Sequence, residues 1–151
     1  MGNSDAHRPP DPVGTPQTVV LAESLTRDAI LDGIRAGRSY VAESKAVSLD
    51  FSAAGGRGQH AGIGERLHVE ADDPVTVRLE VTGAPDCSVR FVTDQGVLHT
   101  AALAASGTGT VQWRTTASYA AYVRAEVRHA VVVPGLPGPL AAFTNPIFLG
   151  T

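Results

Sequence analysis

Asp5 and His7, within Ser4-Asp5-Ala6-His7, are the residues whose types and spacing come nearest to metal chemistry. In extended backbone an i, i+2 pair projects to one side, so a carboxylate and an imidazole can turn toward one cation. Two ligands alone cannot hold a catalytic ion, which takes about three protein groups plus water. Gly56-Arg57-Gly58-Gln59-His60-Ala61 matches the dinucleotide pattern G-x-G-x-x-A. That pattern works only where a helix opens at once and aims its N–H groups at a pyrophosphate. Here Gly62 and Gly64 follow and then another strand, so the run reads as a hairpin loop. Ser106 lies in no G-x-S-x-G elbow, and Cys87 has no His beside it in sequence, so nucleophilic hydrolysis has no local motif. His68, His99 and His129 are isolated along the chain and read as surface or polar-face residues.

Cys87 is the only cysteine, which excludes an intrachain disulfide, and a structural zinc site with about four ligands finds no close Cys or His pairs. Aromatic residues are few. Trp113 is in phase with Val111 and Thr115 and reads as core, while a sugar-binding platform would have to draw on Tyr40, Tyr119 and Tyr122. Arg124, Glu126 and Arg128 share one strand face of mixed sign, expected to be solvated or to dock a neighbouring domain.

The elements that must position these groups follow from hydrophobic period. Thr18 to Leu21 reads as a strand. Thr26 then caps a helix through Ala36, in which Ile30, Leu31 and Ile34 make an apolar stripe opposite Asp28, Asp32 and Arg35, and Gly37 stops it. From Ser39 the period becomes two. Val47, Leu49 and Phe51 alternate with polar neighbours, and Val75, Val77, Leu79 and Val81 alternate with Thr76, Arg78, Glu80 and Thr82. Shorter strand signals lie at Leu67 to Ala71, Ser88 to Thr93, Val97 to Ala101, Thr110 to Thr115 and Tyr122 to Arg128, with turn chemistry at Gly83-Ala84-Pro85-Asp86, Asp94-Gln95-Gly96 and Ser106-Gly107-Thr108-Gly109. Pro134 to Pro139 reads as a loop, and Ala141 to Leu149 as a late edge strand broken at Pro146. Seven or eight short strands with one wet face predict a mainly β chain, an antiparallel β-sandwich of immunoglobulin-like layout over residues 39–151, preceded by a short strand-helix tail, residues 1–38.

Composition bounds the function. Hydrophobic residues make up 43% and charged residues 18%, enough apolar content for a packed core and too little charge for a disordered chain. Twelve basic against fifteen acidic residues leave a net charge of -3, and Lys45 is the only lysine, so no basic field for nucleic acid is expected. The apolar run Ala130 to Val133 ends at Pro134, far short of a membrane span, and the start MGNSDAHRPPDPVG carries no signal-peptide pattern, so a soluble chain of undetermined compartment is expected.

The run NSDAHRPPDPVGTPQTVVLAESLTRDAILDGIRAGRSYVAES resembles the last motif and closing helix of a PHP-domain metallohydrolase. YVRAEVRH followed by LAAFTNPIFLG is similar to the end of the CehA/McbA subgroup, where a β-domain follows the catalytic barrel. The resemblance implies that residues 1–38 are the tail of a PHP barrel whose remainder is missing, braced by the sandwich. It further implies that Asp5 and His7 are two ligands of a multinuclear Zn, Mn or Fe site hydrolysing a small-molecule phosphate ester, ester or carbamate. The family's earlier motifs have no counterpart here, so the chain alone is expected to be inactive and to bind metal weakly. The competing expectation is a stand-alone β-sandwich binding or interaction module without catalysis.

Overall fold

Strict alternation buries one side of a strand, and the chain is built largely from such segments. The computed structural model describes residues 1–151. Its elements run β1 (Gln17–Val20), α1 (Arg27–Arg35), β2 (Ser39–Ala42), β3 (Ser48–Gly55), β4 (His60–Gly62), β5 (Arg66–Leu67), β6 (Val75–Thr82), β7 (Ser88–Thr93), β8 (Gly96–Ala102), β9 (Gly109–Thr115), β10 (Tyr122–Arg128), β11 (Leu140–Thr144) and β12 (Ile147–Leu149). The protein is mainly β, in two sheets. One has the order β4-β3-β6-β9 and is antiparallel throughout. In the other, antiparallel pairing runs from β1 through β2, β11 and β10 to β7 and β8, while β12 pairs with the other end of β10 and, in parallel, with β5.

The sheets meet across apolar side chains. Val75, Val77, Leu79 and Val81 of β6 are buried with Val89 and Phe91 of β7 and Val123, Ala125 and Val127 of β10. Phe51 of β3 stacks on Phe91 with centroids 6.0 Å apart, and Trp113 of β9 stacks on the same ring at 6.2 Å. His99, expected at the surface or on a polar face, faces inward from β8 and stacks on Phe91 at 5.8 Å, because its cross-strand partner is Phe91 itself.

Thr26 caps α1 as its position suggests, its Oγ1 accepting from the Ala29 N–H at 3.3 Å, and Gly37 ends the helical segment in the left-handed region at φ 70°. The helix lies on β1 of this same chain. Gly33 makes that approach possible, since a Cβ there would come within 2.7 Å of the Leu21 carbonyl oxygen and 2.8 Å of Val20 Cγ1. Ile30, Leu31 and Ile34 remain only half-buried.

Three readings change at the level of elements. The glycine-rich run expected to be all loop holds β4, which pairs with β3 from His60 to Gly62. Pairing between Leu67 and Ala71 contracts to the two-residue β5. The late strand is not an edge: β11 lies between β2 and β10, and Pro146 falls in the gap before β12, where its missing N–H breaks no ladder. No helix is long and apolar enough to cross a membrane.

Candidate functional site

The Asp5 and His7 side chains approach each other, with Asp5 Oδ1 3.7 Å from His7 Nε2, at 87% and 75% exposure. Local backbone chemistry sets this geometry. The Asp11 carboxylate accepts from the His7 and Arg8 N–H groups at 3.0 and 3.1 Å, Asn3 Oδ1 accepts from the Asp5 N–H at 2.9 Å, and His7 Nδ1 meets the Asp5 carbonyl oxygen. No group of three His, Cys, Asp or Glu side chains is placed to hold an ion. His60 and His68 stand apart from the pair, His60 beside β3 and His68 exposed after β5.

Distance along the sequence hides a second cluster. Cys87, Glu43 and His129 flank the same end of one sheet: Cys87 precedes β7, Glu43 follows β2, and His129 follows β10. The strand order β2-β11-β10-β7 brings them together. Cys87 Sγ lies 3.4 Å from His129 Nδ1, and His129 Nε2 lies 2.8 Å from Glu43 Oε2. The backbone holds all three in place: the Glu43 N–H donates to the Ala141 carbonyl at 2.8 Å, the His129 N–H to that of Pro139 at 3.0 Å, and the Leu103 N–H to that of Cys87 at 2.9 Å. Burial pushes the Cys87 thiol above its usual range, and the nearby Glu43 and Asp86 carboxylates add to the shift. The imidazole presents a different ring nitrogen to each neighbour, so the arrangement is a linear thiol–imidazole–carboxylate chain rather than a chelate. The expectation that Cys87 lacks a His partner and that His129 is isolated is thereby corrected. The separations of 42 and 86 residues left no local motif to read.

Arg124, Glu126 and Arg128 form a third feature. Glu126 is buried, its two carboxylate oxygens each taken by one arginine at 2.7 Å. A freely solvated face is therefore not what the strand presents. The tyrosines do not assemble into a platform, since Tyr122 packs edge-on against Phe148 at 6.5 Å while Tyr40 lines a groove elsewhere.

That groove, of about 610 Å³, opens where β1 and β2 diverge from β3 and β4. Val19, Leu21 and Tyr40 contribute to one wall and Leu49, Phe51 and Ile63 to the other, with Arg38, His60 and Glu65 also lining it. The Leu21 N–H donates to the Arg38 carbonyl at 2.8 Å, which fixes the phase of the β1–β2 ladder. In an antiparallel pair the bonded positions alternate, so Thr18 and Val20 turn their backbone N–H and C=O groups away from β2.

Comparison with known proteins leaves no family to assign. No family model matches the chain, and no curated protein matches it. A solved structure that does match is the CARDB domain of a Pyrococcus furiosus protein, at 13% identity over 71% of this chain and 98% of that one, with a TM-score of 0.34. The resemblance to a PHP-domain metallohydrolase of the CehA/McbA type is overturned by these findings: neither that family nor any metallohydrolase or phosphoesterase emerges from the comparisons.

Proposed function

We propose that this chain is an interaction module, a β-sandwich of immunoglobulin-like layout that receives an extended segment of a partner polypeptide along the free edge of β1. The observation that carries this reading is the outward-facing backbone of Thr18 and Val20 beside an apolar groove. An edge strand with unpaired N–H and C=O groups is a template for a further strand, and the groove beneath selects alternate apolar side chains. On this reading residues 39–151 form the sandwich, and residues 1–38 add the strand and helix that shape its binding edge. The occupant is an extended segment because the ladder on offer is a single short strand and the groove is a slot rather than a flat face.

Thr18→Pro tests the reading, since proline removes an N–H that β2 does not use. A displayed library of random peptides selected on the protein should yield segments of alternating apolar character whose binding is lost in Thr18→Pro. Failure to enrich such segments, or binding that persists in Thr18→Pro, overturns the proposal. Concentration-dependent dimerisation abolished by the same substitution would identify the occupant as a second copy and overturn the partner assignment.

A further inference from the structure

The Cys87, His129 and Glu43 chain has the order of a nucleophile, a base and a group that orients the base. We propose that Cys87 is a reactive thiol nucleophile, activated by His129 as general base and exchanging with small uncharged disulfides, while Glu43 positions the imidazole. This site is at the opposite termini of β2 from the β1 groove's Ser39 and Tyr40 wall, and it stands independently of the docking proposal.

The geometry assigns the protons. With Nε2–H donated to the Glu43 carboxylate at 2.8 Å, Nδ1 is left with its lone pair facing the thiol at 3.4 Å. As Cys87 Sγ attacks one sulfur of a disulfide RS–SR′, its proton passes to His129 Nδ1. A bond forms between Sγ and the RS sulfur while the S–S bond breaks, and its electron pair departs with R′S⁻. The imidazolium then returns the proton to that thiolate. Cys87 is oxidised to a mixed disulfide, and the R′S sulfur is reduced to R′SH.

Two features define the acceptable electrophile. Cys87 is 3% exposed, so a large reagent is excluded from the sulfur. Glu43 and Asp86 surround the sulfur with negative charge, so an anionic disulfide is disfavoured relative to a neutral one. The same burial and charges hold the thiol protonated, so attack has to be accompanied by proton removal, and the base is placed to do it.

Dithiodipyridine, a neutral disulfide that releases a coloured thione, is the probe. The native chain should consume one equivalent, because Cys87 is its only cysteine. His129→Gln, checked for a native circular dichroism spectrum, should react slower at neutral pH by about tenfold or more, as expected for loss of a general base, while Glu43→Gln, which also removes a charge that holds the thiol protonated, should lose less. The difference should narrow as pH rises and the thiol ionises without help from a base. Should His129→Gln fail to fold, His129→Asn carries the comparison, and the wild-type rate set against that of the urea-unfolded chain decides independently. Native Cys87 that reacts about a hundredfold slower than in urea, or a His129 variant whose neutral-pH rate equals wild type, would overturn the proposal and leave a buried, inert thiol.

Discussion

Glu126 and Arg128 lie two residues apart on β10, on the same face, and the guanidinium donates to the carboxylate at 2.7 Å while Arg124 binds the other oxygen at 2.7 Å. The Glu126 side chain is 8% exposed. Burial by itself would raise its pKa, but the Arg128 hydrogen bond and the charges of Arg124 and Arg128 outweigh it and leave the carboxyl below its ordinary value. The folded-state pKa therefore lies under the unfolded one, and the associated stability is fully present above about pH 4.3 and disappears as pH falls through the depressed value. Glu126→Gln should cost about 1–3 kcal/mol at neutral pH, the range for charged hydrogen bonds that lose a partner. Chemical denaturation of wild type and variant from neutral to acidic pH checks this, and the difference should shrink on acidification.

Phe91 joins both sheets, touching Phe51, His99 and Trp113 with centroids 5.8 to 6.2 Å away. It is fully buried at the centre of the apolar cluster, so Phe91→Ala leaves a cavity rather than a solvated gap. The expected loss is about 3–5 kcal/mol. Trp113→Phe, at a half-buried position, should cost less. Equal losses in urea melts would show that the core is not centred on Phe91.

For Gly33→Ala two effects oppose each other. Helix propensity favours alanine by about 1 kcal/mol, but the added methyl meets the Leu21 carbonyl oxygen at 2.7 Å, and backbone cannot turn aside as a side chain can. Overpacking of this kind costs about 1–3 kcal/mol, so the substitution should destabilise overall or lift α1 from β1. Thermal melts together with hydrogen exchange at β1 amides distinguish it from a neutral change.

What could be read from the sequence depended on whether a signal was local. Val75 to Val81 and the Thr26 cap carry their structure in neighbouring residues, and they form as the spacing suggests. The pairing of His60 to Gly62 was masked because glycines interrupt the alternation that reveals a strand. Glu126 appeared solvated because its alternation with apolar residues is real, yet two arginines on its own strand cover it. Cys87, His129 and Glu43 were illegible for a different reason: their meeting depends on β7 pairing with β10 and on β11 inserting between β2 and β10, facts of sheet order rather than spacing. The family resemblance misled through the opposite fault, since short matches spread along the chain, Ser4 to His7, the Thr26 helix and the LAAFTNPIFLG end, suggested a family that comparison of the whole chain does not support.

Truncation tests the division at residue 39. The Leu21 N–H donates to the Arg38 carbonyl, and Asn145 Nδ2 donates to the Gly37 carbonyl at 2.9 Å and to Ser39 Oγ at 3.1 Å, so contacts cluster at this boundary. Residues 39–151 nevertheless retain Phe51, Phe91 and the buried valines of both sheets. The truncated chain should therefore melt cooperatively, at a lower temperature, with the newly bared edge of β2 promoting association. A coil-like circular dichroism spectrum would place residues 1–38 within the sandwich's own folding unit.

Metal binding at Asp5 and His7 is expected to be weak. Nε2 and Oδ1 stand 3.7 Å apart, near enough to share an ion, but both side chains are well solvated, and His7 Nδ1 already meets the Asp5 carbonyl oxygen. A catalytic zinc takes about three protein ligands and releases protons as it binds, and no third side chain of the ligating types joins this pair. Titration with Zn²⁺ followed by NMR should shift His7 resonances only at metal concentrations far above those that saturate a three-ligand site, and Asp5→Ala should weaken that response further. Saturation at stoichiometric metal would require additional ligands from a second chain; His7→Ala and a parallel sedimentation measurement would then show whether two copies share the ion.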